Sequence, residues 1–158
     1  MELQRYRFLA DSMLGRLTKW LRIMGYDTHY QTFYKEGTVG TLIHDGRLLL
    51  SRHRSTVNKY PNSLLILSDN VQRQLEEMRV HGYLPLDNER WFTRCLACNT
   101  LLKEASVEDA REKIPEYVFY QNITTGLSFC CSCERYFWPG SHRRRMICQL
   151  EEWGFKYD

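Results

Sequence analysis

The first 94 residues of this chain contain no cysteine, and long apolar runs are missing throughout. The longest apolar runs are only a few residues long, as at residues 63–67, whereas a membrane-spanning helix needs about 20 apolar residues. The amino-terminal residues 1–7 alternate charged and apolar groups and do not form the apolar centre of a signal peptide. The sequence therefore predicts a soluble, cytoplasmic protein with no membrane partner.

A strong charge of one sign is missing as well. The 158 residues carry 22 Lys and Arg against 19 Asp and Glu, a net charge of +3 that by itself indicates no partner. Hydrophobic residues make up 43% of the chain, which excludes a disordered protein and leaves room for one domain or a domain with a small satellite. Two local basic clusters, Arg16–Lys19–Arg22 and residues 143–145, are either solvated faces or anion-binding surfaces.

Four of the six cysteines form two Cys-x-x-Cys pairs. Cys95 and Cys98 are followed, after 31 residues, by Cys130 and Cys133. Each pair presents two thiolates from a tight turn, and four thiolates close a tetrahedral shell around Zn²⁺. Disulfides are the weaker alternative because a reducing compartment opposes them. The spacing predicts a structural zinc site.

The other two cysteines are not predicted to bind the metal. Cys131 lies between two ligands, and the geometry of the turn is expected to direct it away from the ion. Cys148 falls on a predicted helix and is expected to be a small buried hydrophobic residue.

The organisation of the chain follows from the cysteines and from a proline-containing stretch at residues 84–93. We predict an α/β domain over residues 1–84 and a zinc ribbon with a C-terminal helix over residues 90–158.

Short apolar runs at residues 6–10, 28–31, 47–51 and 63–67 predict strands, and apolar stripes at residues 12–24 and 70–81 predict helices. Continuously apolar strands that alternate with helices indicate a mostly parallel sheet covered on both faces. Residues 36–46 are rich in glycine and do not predict a helix, so Asp45 is expected in a hairpin or loop.

Polar residues follow three of the predicted strands, where the chemistry of an open α/β sheet collects. They are Asp11, the pair Arg52 and His53, and Asp69. The structural alternative is that Asp11 and Asp69 cap the helices that follow them. The stripe of Arg16, Lys19 and Arg22 would flank the first of these helices and face a phosphate backbone.

Four blocks of the chain resemble one known family. Residues 7–28, with Met13-Leu14-Gly15-Arg16, and residues 46–53 resemble the two signatures of the Mut-seven C-terminal RNase domain. Residues 94–99 and 130–142 resemble its zinc ribbon, and the blocks occur in the family's order. The resemblance implies a PIN-like three-layer α/β/α fold with a C-terminal zinc ribbon, and metal-dependent cleavage of RNA.

The resemblance implies that acidic residues at the strand ends hold one or two Mg²⁺ or Mn²⁺ ions. The second signature usually ends in Thr-Arg-Asp, whereas this chain has Ser51-Arg52-His53, and an acidic residue upstream of that strand has no clear counterpart. Asp27, Asp45 and Asp69 are candidate replacements. Imidazole is a poor Mg²⁺ ligand but binds Mn²⁺, so His53 either shifts the metal preference or marks a site without catalysis.

The predicted function is therefore that of a metal-dependent ribonuclease, a phosphodiester hydrolase weakened by the loss of an acidic ligand at residue 53. The alternatives are a non-catalytic RNA-binding module and a protein-interaction adaptor. The sequence does not predict the oligomeric state. We predict catalytic roles for Asp11, Arg52, His53 and Asp69, and RNA contacts for Arg16, Lys19, Arg22, His142, Arg143, Arg144 and Arg145.

Overall fold

The computed structural model describes residues 5–85, 88–122 and 126–156. Their contacts divide the chain into two compact units, residues 1–99 and 100–158. The boundary predicted from the sequence, between residues 84 and 90, stays a prediction. In the part of the chain that the structure describes, no helix combines the length and the apolar character needed to cross a membrane.

The first unit is built on a four-stranded sheet in which every neighbouring pair is parallel. The strand order is β2-β1-β3-β4. The second strand is therefore added on one side of β1, and the third and fourth strands are added on its other side. The predicted parallel sheet is confirmed. The strands are β1 (Phe8–Ala10), β2 (Thr28–Tyr30), β3 (Leu48–Ser51) and β4 (Ser63–Leu65).

Helices cover both faces of this sheet and complete the predicted three-layer α/β/α arrangement. Because crossovers between parallel strands are right-handed, reversing the direction of strand addition places α2 and α3 on the face opposite α1. Helix α1 packs against α4, while α2 contacts β1 and α3 contacts β3 and β4. The helices are α1 (Gly15–Ile23), α2 (Thr38–His44), α3 (Arg54–Lys59) and α4 (Val71–Val80).

The apolar stripe that predicted the first helix is buried in the structure. Leu14, Leu17, Leu21 and Met24 are each at most 5% exposed. The helix ends as expected, since Gly25 follows it with φ +87°, a left-handed conformation that costs glycine nothing.

Two helices and two caps differ from the expectations. Helix α2 lies in the glycine-rich segment, and Asp45 is its C-cap rather than part of a hairpin. Helix α3 has no buried residue and hence no apolar stripe to reveal it. Asp69 does not cap α4, because Asn70 does, accepting a hydrogen bond from the Arg73 amide at 3.2 Å. Helix α1 begins several residues after Asp11, which therefore is not its cap.

The second unit contains a three-stranded antiparallel sheet in the order β5-β6-β7. Its small core is completed by Tyr136 and Trp138, which pack against it. The core residues are Ala110, Ile114, Val118, Phe119 and Leu127. The strands are β5 (Lys103–Glu104), β6 (Ser128–Cys130) and β7 (Arg135–Phe137), and the helices are α5 (Val107–Lys113), α6 (Glu116–Asn122) and α7 (Ser141–Glu152).

Candidate functional site

The four predicted zinc ligands come together. The Sγ atoms of Cys95, Cys98, Cys130 and Cys133 all lie within 4.8 Å of one another, with Cys95 and Cys130 buried. Four thiolates with no carboxylate or water-bearing position suit a closed tetrahedral site, so the cluster fits a structural metal such as zinc.

The two Cys-x-x-Cys turns share one backbone geometry. The Asn99 amide donates to the Cys95 carbonyl at 2.9 Å, and the Glu134 amide donates to the Cys130 carbonyl at 2.8 Å. Asn99 and Glu134 both have positive φ, at 75° and 56°, which ends each turn immediately after its second cysteine. The second turn also directs the Cys133 amide at the Cys130 sulfur, 3.4 Å away. Such amides stabilise a thiolate, and thiolates are the form that binds metal.

The remaining cysteines lie outside this cluster. Cys131 is exposed, as predicted for a residue between two ligands. Cys148 is also exposed, so the prediction of a buried hydrophobic residue is wrong. The buried positions of α7 are Met146 and Leu150, and residue 148 falls between them on the outer face of the helix.

The first cysteine turn is attached to the amino ends of the parallel strands within the first unit. Asn99 connects the two, because its Oδ1 accepts from the Thr28 amide at 3.0 Å and its Nδ2 donates to Asp27 Oδ1 at 2.7 Å. Arg94 donates to the carbonyls of Gly25 and Asn99, at 3.1 and 3.0 Å.

Arg22 belongs to this attachment and not to an exposed basic stripe. It is only 5% exposed, and its guanidinium donates to the carbonyls of Thr28, Leu96 and Ala97 at 3.0 to 3.2 Å. Burial lowers the pKa of Arg22, although the nearby cysteines act in the opposite direction. The expectation that Arg22 contacts RNA is therefore corrected, whereas Arg16 and Lys19 are exposed on α1.

Asp27 is a structural acid at the same end of the sheet. Its Oδ1 accepts from Arg47 Nη1 at 2.8 Å as well as from Asn99. Burial alone would raise the pKa of Asp27, but the hydrogen bonds from Arg47 and Asn99 and the positive charge of Arg47 outweigh it and lower the pKa. Asp45 is also at this end, in an exposed pair with Arg7 at 3.4 Å. Neither acid is near the strand ends where the metal ligands were expected.

Asp11 stands at the opposite end, where β1 and β3 meet and the strand order reverses. Its Oδ2 accepts from the buried Ser51 hydroxyl at 2.9 Å, and its Oδ1 accepts from the Met13 amide at 3.1 Å. The Ser51 Oγ in turn accepts from the His53 amide at 3.0 Å. Ligands of open α/β sheets bind outside the carboxyl ends of strands at this kind of reversal. We call this end of the sheet the carboxyl edge; its residues are Asp11, Tyr30, Tyr34, Ser51, Arg52 and His53.

Three residues of the carboxyl edge were missed by the sequence analysis. Ser51 was quoted only as part of a signature, and Tyr30 and Tyr34 carried no pattern. The Tyr34 hydroxyl donates to the Ala10 carbonyl and the Tyr30 hydroxyl donates to the Ser12 carbonyl, both at 2.8 Å. Burial raises the pKa of Tyr34, and the negative charge of nearby Asp11 adds to the effect.

Arg52 and Asp69 line a different groove from the one beside Asp11. This groove lies between the end of β4 and helix α4, and its walls include Leu67 and Arg73. Arg52 Nε is buried with no hydrogen-bond partner among the described residues, and Nη2 reaches the Leu67 carbonyl only at 3.5 Å. Successive side chains of an extended chain face opposite sides, which explains why Arg52 departs from Ser51 and His53.

The described residues form no three-ligand site for Mg²⁺ or Mn²⁺ at the carboxyl edge. Within residues 5–85, 88–122 and 126–156, the cysteine cluster is the only group of three or more Cys, His, Asp or Glu side chains close enough to hold an ion. Both oxygens of Asp11 are already hydrogen-bonded within the protein.

The basic run of the second unit begins helix α7. His142, Arg144 and Arg145 are exposed, and Arg143 is half-buried. The first turn of this helix contains no acidic residue, although cations are unfavourable at a helix amino terminus. The helix itself therefore gives no reason for this clustering of positive charge.

The parallel sheet flanked by helices and the four-cysteine cluster define an α/β protein with a possible structural metal site. A family model, the Mut7-C RNAse domain, matches residues 6–150, and the chain belongs to that family. Membership indicates a ribonuclease-like function and implies interaction with RNA. Comparisons with curated proteins and with solved structures gave no match.

Proposed function

We propose that this chain is an RNA-binding member of the Mut7-C RNAse family in which metal-dependent cleavage is weak or absent. The observation that carries the proposal is the setting of Asp11: its two oxygens accept hydrogen bonds from Met13 and Ser51, and no group of three or more described ligand side chains forms around it. A phosphodiester at this edge would meet positive charge without a bound ion to activate water.

Positive charge at the carboxyl edge supports the binding part of the proposal. Arg16 lies at the start of α1, where unpaired main-chain amides and the helix dipole also favour an anion, and Lys19 follows one turn later. Arg52 has an unsatisfied Nε, and Arg54 is exposed at the start of α3. Arginine at these positions suits the planar oxygens of a phosphate.

The second unit offers a further basic surface on α7. Arg144 and Arg145 are exposed in the amino-terminal half of this helix, where the dipole disfavours them. An anionic partner would offset that unfavourable placement. Contacts of this kind are made to phosphates, so we propose binding with little sequence preference.

The test is RNA binding by the zinc-loaded full chain, measured by fluorescence anisotropy with short labelled single-stranded RNAs over a series of salt concentrations. Replacing Arg16 and Lys19 with alanine removes two exposed charges beside the carboxyl edge. We expect affinity to fall about tenfold and the salt slope to decrease by about 1.4, because each phosphate contact to a single strand contributes about 0.7.

The matched control replaces Arg111 and Lys113, which are exposed in the last turn of α5, and makes the same change in net charge. We expect its affinity to stay within about twofold of the native chain. An equal loss in both double variants would remove the carboxyl edge from the proposal. Failure of the native chain to bind any RNA would favour a protein-interaction adaptor.

A metal-dependent ribonuclease is the second candidate, and the retention of Asp11 at the strand reversal favours it. If the only defect were the missing acid after Arg52, His53→Asp would raise cleavage in Mg²⁺. Any activity of the native chain would favour Mn²⁺, which accepts imidazole. Substantial cleavage by the native chain in Mg²⁺ would replace the binding proposal with this one.

A further inference from the structure

We propose that an arginine-lined cavity at the amino ends of the parallel strands binds the phosphate group of a nucleotide. The cavity has a volume of about 210 Å³ and lies wholly within the first unit. We call it the arginine pocket. Its walls include Arg5, Arg7, Arg90 and Arg94, with Tyr6 and Tyr26, and it is separate from the carboxyl edge.

The position of the arginine pocket follows from the chain path. Residues 5–7 lead into β1, residues 24–27 connect α1 to β2, and residues 90 and 94 approach from the segment before the first cysteine turn. Asp11 follows the other end of β1, and Ser51 is the last residue of β3. A ligand in this pocket would therefore be distinct from RNA held beside Asp11.

The charge of the pocket is strongly positive. Among its described lining residues, four arginines face a single carboxylate, Asp27. That carboxylate is already held by Arg47 at 2.8 Å, a residue outside the lining. Arg5 and Arg94 form no ion pair with any described residue, since Arg94 donates only to main-chain carbonyls. Four like charges around one cavity repel one another, and a bound anion would relieve that repulsion.

The backbone holds two of these arginines in fixed places. The Phe92 amide donates to the Ile23 carbonyl at 2.8 Å, which ties residues 90–94 to the end of α1. A side chain at Gly25 would collide with the Arg90 backbone, so glycine is required for this close approach. Arg94 is fixed by the carbonyls of Gly25 and Asn99. A binding group that is already ordered loses little entropy when its ligand arrives.

The size and the walls of the pocket favour more than a bare anion. A volume of 210 Å³ corresponds to about seven water molecules at about 30 Å³ each. Tyr26 is held by a hydrogen bond from its hydroxyl to the Pro85 carbonyl at 2.9 Å, and Tyr6 packs edge-on against Tyr83. These rings give the phosphate-binding arginines an apolar, aromatic neighbour. A sugar or base attached to the phosphate would contact that surface.

The experiment titrates the zinc-loaded full chain with inorganic phosphate, with adenosine 5′-monophosphate and with short RNAs that carry either a 5′-phosphate or a 5′-hydroxyl. Binding is followed by calorimetry and by the Nε resonance of Arg94. We expect saturable binding of the monophosphate that is at least tenfold tighter than binding of inorganic phosphate. Absence of saturable binding by every phosphate-bearing probe would overturn the proposal.

The test variant is Arg5→Ala combined with Arg7→Ala, because Arg5 is exposed and the polar contacts of Arg7 are to the carboxylate and the carbonyl of exposed Asp45. We expect at least a tenfold loss of monophosphate affinity, since each hydrogen bond to a charged group contributes about that factor. The control is the Arg111→Ala, Lys113→Ala double variant, which keeps the pocket. Equal affinities in the test variant and the native chain would overturn the proposal.

The RNA arms identify the source of the phosphate. A preference for 5′-phosphorylated RNA that disappears in the Arg5, Arg7 variant would assign the pocket to an RNA terminus. Equal binding of the two RNAs, together with binding of the monophosphate, would assign it to a free nucleotide. Both results are distinguishable from failure of the carboxyl edge, which is tested by the variants at Arg16 and Lys19.

Discussion

The aspartates at the two ends of the parallel sheet have different kinds of partner. At the amino end, Asp27 is paired with Arg47 and hydrogen-bonded to Asn99, which connects the sheet to the first cysteine turn. At the carboxyl end, Asp11 has only hydroxyl and amide partners. Asp27 and Asp45, two of the acids considered as metal ligands, therefore lie at the amino end, where each is paired with an arginine.

The two ends also differ in what fixes their polar side chains. At the amino end, Asp27, Arg47 and Asn99 form a hydrogen-bonded network that contacts the first cysteine turn. Losing one of these residues, or one of the cysteines, would disturb this end. The carboxyl end combines the strand reversal and Asp11 with two exposed cations on α1, Arg16 and Lys19.

The largest effect is expected from breaking the cysteine cluster. Cys98→Ser removes a thiolate, and the chain should lose its bound metal and several kcal/mol of stability, because ribbon folding depends on the metal. Metal content by mass spectrometry and the midpoint of thermal unfolding measure this. Cys148→Ser is the matched control, since Cys148 is exposed and outside the cluster. Retention of one zinc per chain by Cys98→Ser would contradict the assignment.

A smaller effect is expected from the buried arginine that holds the first cysteine turn. Arg22→Ala removes three hydrogen bonds to main-chain carbonyls and should lower the free energy of unfolding by about 3 kcal/mol. Arg16→Ala, an exposed residue on the same helix, should change it by less than about 0.5 kcal/mol. Chemical denaturation of the two variants compares them. Equal free energies of unfolding for the two variants would contradict the burial of Arg22.

The paired aspartate of the amino end should give a still smaller, pH-dependent effect. The folded pKa of Asp27 is lowered, so its contribution to stability is present above its ordinary value of about 3.9 and is lost as pH falls through the folded pKa. Asp27→Asn should cost about 2 kcal/mol at pH 7, and the difference from the native chain should shrink toward pH 3.

Asp45→Asn is the control for that measurement, because its pair with Arg7 is exposed and should contribute less than about 1 kcal/mol. Denaturant unfolding at a series of pH values compares the three chains. A cost for Asp27→Asn that is independent of pH would show that its charge is not the source of the stability.

Much of this fold was predictable from local patterns. The leucine stripe of α1 comes from burial of one face of the helix, and the apolar runs of β1 and β3 come from burial on both faces of the sheet. The cysteine spacing predicted the cluster. Helix α3 was not predictable, because all of its side chains are at least partly exposed and leave no apolar period. The exposure of Cys148 was equally hidden, since it depends on which face of α7 is covered.

The site was less predictable than the fold because its geometry depends on pairings between distant residues. Sequence placed Asp11, Arg52 and His53 after strands, but it could not show that the Arg52 side chain turns into the groove of Asp69. It grouped Arg22 with Arg16 and Lys19 by spacing alone. In the structure, Arg22 is buried and donates to carbonyls 74 and 75 residues away. A contact between residues so far apart in the chain leaves no local sequence pattern.

Cleavage of short RNAs is the most direct test of the proposal that metal-dependent cleavage is weak or absent. The zinc-loaded native chain, Asp11→Asn and His53→Asp are incubated with RNA in Mg²⁺ and in Mn²⁺, and the products are resolved by gel electrophoresis. The account predicts that the native chain binds the RNA yet yields at most weak cleavage, seen in Mn²⁺ and not in Mg²⁺. Rapid cleavage by the native chain in Mg²⁺ that Asp11→Asn abolishes would contradict it.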